Sequence, residues 1–268
     1  MIEQIKYEKY GDYSEESFSD LYDYLPIYSQ RDDINFYVEW ANKLNRDVLE
    51  LGCGTGRVSI PIIFTGVNVF GLDYSMPMLK KFKSKLKQEK WDISERLSLI
   101  RGDMTNFRLN KKFSLIILPF RPFQHLIFVE DQLNCLKCIR DHLTADGYII
   151  FDVFNPNPDR LLSSAFGPVI DVPRFEMADG RILTRTSRVL KSHWKEKWNE
   201  YEFLYEIEDL NGKIKKIVQK TSMRYFHVEE IELLLDMAGL KIIELYGDFD
   251  LSPYDANSPE EIYVAILK

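Results

Sequence analysis

In the stretch DVLELGCGTGR, Glu50 is followed by Gly52, Gly54 and Gly56 at alternate positions. An apolar run ends at the glutamate, and a helix-like run begins after the last glycine. The glycines therefore occupy a strand-to-helix turn. Glycine there permits backbone angles closed to other residues and lets a ligand touch the main chain. The spacing GxGxG departs from the GxGxxG that seats a pyrophosphate on a helix start. A carboxylate at position 50 would repel a pyrophosphate and suits a ligand bearing an amino group. Asp73 ends a second apolar run, where a carboxylate can accept both hydroxyls of a ribose. In RGDM, the side chain of Asp103 and the backbone of Met104 pair an acceptor with a donor, which fits one edge of an adenine. Three successive strand ends thus describe a ligand with an amino-acid head, a ribose and an adenine. No GxxxxGKS/T phosphate loop occurs in the chain.

The elements that must hold these residues alternate. Strands are expected over 47–51, 67–73, RLSLIRGD, KFSLIILPF and YIIFDVF, and helices at about 58–65, after Ser75 and at about 129–142. KFSLIILPF is continuously apolar, as a strand covered on both faces should be. This βαβαβ order implies a doubly wound parallel sheet with ligands at the carboxyl ends of its strands. Short aromatic helices precede it. From about Asn157 to Tyr225 the helical period gives way. Tyr201, Phe203, Tyr205 and Ile207 alternate with glutamates, and ADGR and LNGK read as hairpin turns. This is an antiparallel insertion of three or four strands, followed by a last helix and two strands. Three parts are expected: 1–156, an N-terminal lid and cofactor-binding core; 157–225, the insertion; and 226–268, a helix and strand pair completing the core.

The chain has 268 residues and a net charge of -7, which argues against a broad basic face for nucleic acid. No apolar run is long enough to span a membrane, no apolar signal core opens the chain, and the three cysteines are too few for a disulfide framework. A cytoplasmic protein is the expectation. Cys135 and Cys138 form a lone CxxC inside a helix, without a second ligand pair, so no metal is expected. The lysines at 80, 81, 83, 85, 87 and 90 lie on a helix whose apolar face is Leu79, Phe82 and Leu86, and read as a solvated face.

LELGCGTGR, GLDYSMPML, IRGDM and FSLIILPFRPFQHL, in this order, resemble the successive motifs of class I S-adenosylmethionine-dependent methyltransferases. LYDYLPIYSQRDDINFY, FDVFNPNPDRLL, MRYF and ELYGDFD extend the resemblance to a bacterial small-molecule subgroup with a β insertion. The resemblance implies a Rossmann-like sheet of order 3-2-1-4-5-7-6 with strand 7 antiparallel. It also implies S-adenosylmethionine contacts at Glu50, Gly52, Gly54, Asp73, Tyr74, Asp103, Met104 and the loop after Leu118.

Direct displacement at a sulfonium methyl asks the protein to align a nucleophile and exclude water. A base helps only where the acceptor arrives protonated. His125 and Tyr22 are the catalytic candidates, with Tyr24 beside the substrate. Phe120, Arg121 and Phe123 are expected to line the pocket, and Arg121 could meet an acidic substrate group or form a structural ion pair. No cysteine follows a proline, and LPFRPF departs from the motif of amino-methylating DNA enzymes. The expected acceptor is a small molecule, methylated on nitrogen or oxygen. The insertion leaves the sheet on the cofactor rim and is expected to roof the acceptor, to form a homodimer surface, or both. A non-catalytic S-adenosylmethionine-binding protein, a macromolecular acceptor and a dinucleotide-dependent oxidoreductase remain the alternatives.

Overall fold

The computed structural model describes residue 11 and residues 16–88, 93–156 and 167–268. Three short helices open it: α1 (Glu16–Tyr22), α2 (Pro26–Ser29) and α3 (Asp33–Leu44). The core follows as β1 (Val48–Leu51), α4 (Ser59–Phe64), β2 (Val69–Asp73), α5 (Met76–Gln88), β3 (Leu97–Arg101), β4 (Phe113–Leu118), α6 (Val129–His142) and β5 (Leu143–Phe154). Four long strands come next: β6 (Val169–Glu176), β7 (Ile182–His193), β8 (Trp198–Glu208) and β9 (Ile214–Arg224). The chain ends in α7 (Val228–Met237), β10 (Leu240–Tyr246) and β11 (Glu260–Leu267).

The large sheet has the order β10-β11-β5-β4-β1-β2-β3. Strands β1 to β5 are parallel, and β11 runs antiparallel between β5 and β10. This is the order 3-2-1-4-5-7-6. Alternation along each strand assigns the two faces. Val48, Ile117, Ile150 and Val264 pack with Phe36 and Tyr37 of α3 and Ile62 and Ile63 of α4. Their neighbours Leu49, Ile116, Ile149 and Ala265 pack with Cys135, Leu136 and Ile139 of α6 and Leu234 and Leu235 of α7. All six residues of β4 are buried, because helices cover both sides of it. Ser75 accepts the Met78 N–H at 3.3 Å and caps α5. Cys135 and Cys138 sit on α6, the first buried and the second half-buried.

The second sheet, β6-β7-β8-β9, is antiparallel throughout. Its turns place Gly180 at φ 83° and Gly212 at φ 79°. The glutamates of β8 form the wet face and pair across strands: Glu202 with Arg188, Glu206 with Lys216 and Glu208 with Arg174. The dry face, with Leu183, Tyr205 and Ile207, packs on Phe18, Leu21, Leu25 and Tyr28 of the N-terminal helices and on Met78 of α5. Residues 157–166, where the insertion was expected to begin, lie outside the described residues. Among the described residues no helix is long and apolar enough to cross a membrane.

Candidate active site

The three glycines after β1 have three different reasons to be glycine. All have positive φ: 76° at Gly52, 53° at Gly54 and 84° at Gly56. A Cβ on Gly52 would lie 3.0 Å from Pro122, so that glycine lets the turn after β4 close in. A Cβ on Gly56 would lie 2.4 Å from the ring of Phe82, a packing constraint. A Cβ on Gly54 would meet nothing within 4 Å. That open space, bounded by the ends of β1 and β2, is where a ligand can approach the backbone.

Around it stand the carboxylates. Glu50 is buried at 3% exposure and accepts a hydrogen bond from the Ser59 hydroxyl. Burial pushes its pKa up to about 8 although Ser59 opposes the shift. It is therefore largely protonated at neutral pH and would ionise beside an ammonium group. Asp73 accepts the Gly54 N–H and the Ser75 N–H, each at 2.7 Å. Burial raises it to about 6, and these two amides hold it from rising further. One bond per oxygen leaves each with a lone pair for a ribose hydroxyl. The exposed ring of Tyr74 follows it. At the end of β3, Asp103 accepts the Thr105 N–H at 2.8 Å and the Thr105 hydroxyl at 2.7 Å. These bonds tighten the turn that carries buried Met104. Leu118, fully buried, anchors the end of β4. The donor set fits S-adenosylmethionine: an acid for its amino group at Glu50, a carboxylate for its ribose at Asp73, an uncharged cradle at Gly54 and no phosphate site.

The chain after β4 makes an unusual turn. Phe120 and Arg121 both have left-handed backbones, at φ 64° and 67°. Asp152 on β5 accounts for the first, accepting the Phe120 N–H at 2.8 Å. The same oxygen takes the Tyr37 hydroxyl at 2.8 Å, and the other takes Arg31 Nη2 at 3.0 Å. Arg31 also donates to Asp33 and to Glu260, each at 3.1 Å. Asp33 in turn holds both terminal nitrogens of Arg57, the residue after Gly56, at 2.5 and 2.7 Å. Arg121 closes the set on Glu260. Three arginines and three carboxylates thus form a neutral, mostly buried hub. It joins the N-terminal segment, the glycine turn, the β4 exit and the start of β11. The guanidinium groups of Arg31, Arg57 and Arg121 stand 5.1, 5.5 and 5.9 Å from the centre of the Phe120 ring.

The acceptor-side candidates divide. Phe120 packs edge-on against Tyr28, with ring centres 5.1 Å apart, beneath the insertion. Of the two options open to Arg121, the structure shows the ion pair: its partner is Glu260, and its side chain keeps 21% exposure. Phe123 is corrected from pocket wall to core, at 1% exposure between Phe151 and Phe226. Tyr22 stacks on Tyr28 at 4.4 Å. Burial raises its phenol well above the usual value, so at neutral pH it can orient a partner but does not take up a proton as phenolate. Tyr24 lies half-buried against the insertion, with Arg181 6.0 Å above its ring. His125 ends the short turn Pro122–His125, with Nδ1 3.2 Å from the Ser222 carbonyl on β9. The Thr221 hydroxyl lies 3.3 Å from the same nitrogen. Burial lowers this imidazole to about 4, which keeps it neutral and makes it a weak base.

Sequence reasoning passed over Arg31, Asp33, Arg57 and Asp152. The available signal was an arginine directly after the glycine turn and an aspartate inside the apolar fifth strand, both costly unless paired. Among the described residues no group of histidine, cysteine or acidic side chains could hold a metal ion.

A methyltransferase domain matches residues 48–147. Domain, sheet order and strand-end carboxylates define the class: this chain is a class I S-adenosylmethionine-dependent methyltransferase. The cypemycin N-terminal methyltransferase of a Streptomyces species is 23% identical over 82% of each chain. The dTDP-3-amino-3,4,6-trideoxy-alpha-D-glucopyranose N,N-dimethyltransferase of Streptomyces venezuelae is 24% identical over 75% of this chain and 77% of its own. Among solved structures, the CcbJ methyltransferase from Streptomyces caelestis has the same fold, with a TM-score of 0.77 at 24% identity over 97% of this chain and 99% of the other.

Proposed function

We propose that this methyltransferase acts on an amine nitrogen of a small molecule held between the β4 exit and the dry face of the insertion. The observation that carries this reading is the covered rim. The dry face of β7 and β8 packs on α1 and α2, while Phe120 below it packs on Tyr28. A duplex could reach such a site only by flipping out a base. The two relatives named above are described as methylating an N-terminus and an amino sugar. Both acceptors are amines, which supports nitrogen over oxygen as the acceptor atom in this reading.

The cofactor supplies an electrophilic methyl group. The chain's own work is alignment and exclusion of water. In this reading Glu50, Gly52, Gly54, Asp73, Tyr74, Asp103, Met104 and Leu118 form the cofactor cradle. Phe120 and Tyr24 bound the acceptor, while the Tyr22 hydroxyl and the His125 imidazole offer polar contacts to its amine. A weak neutral imidazole suits an amine that arrives unprotonated better than one that must be stripped of a proton inside the site. Transfer should therefore rise with pH as the free amine becomes available.

The test is a panel of amino sugars, short peptides, tRNA and duplex DNA, with S-adenosylhomocysteine release as the readout. Turnover with an amine-bearing small molecule is expected. Turnover confined to nucleic acid or folded protein would overturn the proposal.

A further inference from the structure

The lysines of α5 play no part in the site described so far. Two of them leave the solvated face to which the sequence assigned them. Lys81 and Lys85, one helical turn apart, face α1 across a narrow gap. Lys81 Nζ lies 3.1 Å from Asp20, and Lys85 Nζ lies 3.0 Å from both oxygens of Asp23. Asp23 has a second partner. Its Oδ1 accepts the Thr55 hydroxyl at 2.7 Å, and Thr55 is a fully buried residue between Gly54 and Gly56. A single carboxylate therefore joins the end of α1, the glycine turn and α5. Tyr22 precedes it directly. Beneath lies a cavity of about 230 Å³ walled by Tyr22, Tyr28, Gly56, Arg57, Ile60 and Lys85.

The N-terminal segment is thus fastened at two ends of different character. At Arg31 the fastening is the buried hub, with side-chain exposures of 13% for Arg31 and 0% for Asp33 and Asp152. At Asp23 it is a half-open ion pair, with side-chain exposures of 24% for Lys85 and 28% for Asp23. Salt screens the second and leaves the first largely untouched. The Asp23 end meets the glycine turn at Thr55, between Gly54 and Gly56, whereas the hub meets it only beyond, at Arg57, so release of Asp23 would uncover the cofactor while the Arg31 end stays anchored.

We propose that Lys85 and Asp23 form a latch: Lys85 is a positioning residue that holds the Tyr22 segment on the glycine turn and so sets how long the adenosyl ligand is retained. The latch rests on the proposal that the N-terminal segment closes the site. It concerns release of the cofactor and is independent of which acceptor is used.

The experiment measures S-adenosylhomocysteine dissociation from the full chain by stopped-flow displacement, at about 0.02 M and about 0.5 M sodium chloride. In the wild type, release should accelerate with salt. Lys85→Gln should release the ligand about fivefold faster at low salt and lose most of the salt response. Lys85→Arg should restore both wild-type properties. Lys83→Gln, an exposed lysine on the same helix, should match the wild type. Asp23→Asn should release faster still, since it weakens the bond from Thr55 as well. Melting curves confirm that each variant is folded. Salt-independent release in the wild type, equal rates in Lys85→Gln and Lys83→Gln, or failure of Lys85→Arg to restore would each overturn the latch. Those outcomes leave the acceptor proposal standing, because the panel of acceptors reads a different step.

Discussion

At pH 7 the buried carboxyl of Glu50, with its pKa pushed up to about 8, carries a proton in about nine molecules of ten. An adenosyl ligand that places its ammonium beside this group favours the ionised form and drives the proton out. Binding should therefore release about 0.9 proton per ligand at pH 7, falling to about 0.1 at pH 9, where the apo carboxyl is already ionised. Asp73 lies at about 6 and is mostly ionised at pH 7, so it adds only about 0.1 proton. The assay is titration calorimetry with S-adenosylhomocysteine in buffers of different ionisation enthalpy, where the slope of observed enthalpy against buffer enthalpy counts protons. Glu50→Gln should bring the slope close to zero and weaken binding. The same shift fixes a stability trend. Between its ordinary value of 4.5 and about 8, the folded chain holds a proton that the unfolded chain has lost. Apo stability should fall as pH rises through that interval, and less so in Glu50→Gln. A wild-type slope near zero at pH 7, or one unchanged in Glu50→Gln, would refute the assignment of Glu50 to the ligand's amino group.

Asp73→Ala should lower S-adenosylhomocysteine affinity by at least about tenfold with the circular dichroism spectrum unchanged, since two bonds of roughly 1.5–3 kcal/mol each are lost. Gly54→Val should abolish cofactor binding by filling the open cradle. Gly56→Ala should instead lower the melting temperature, because its Cβ would press on Phe82 at a cost of about 1–3 kcal/mol. If the two glycine variants lose binding and stability in equal proportion, the separate roles assigned to them are wrong. Asp152→Ala should cost about 3–5 kcal/mol in urea unfolding, because Arg31 loses a buried counter-charge and the Phe120 N–H its acceptor.

The order of the large sheet is the one that the resemblance of the quoted motifs implied, and its first three strands are short apolar runs closed by a glycine or an acid. The alternation in β8 announced its two faces, and its glutamates do pair across the sheet on the outer one. What the residues did not disclose was pairing at a distance. Arg31 and Glu260 are far apart in the chain, and a lone arginine after a helix says nothing about which carboxylates will surround it. Arg121 could equally meet a ligand or Glu260 until the fold placed β11 beside β5. Phe123 looked like a pocket residue because it follows Phe120 closely. The left-handed turn at Phe120 and Arg121 redirects the chain, so its ring enters the core instead. Lys81 and Lys85 lie on a helix with a clear apolar stripe, and only the position of α1 distinguishes them from solvated neighbours.

The most direct measurement is transfer from S-adenosylmethionine labelled isotopically in its methyl group, with the product examined by NMR. The account predicts a labelled N-methyl resonance on an amine-bearing small molecule, formed together with S-adenosylhomocysteine. A label on oxygen or carbon would contradict the acceptor reading, and absence of label from every product of a broad acceptor panel would contradict catalysis itself.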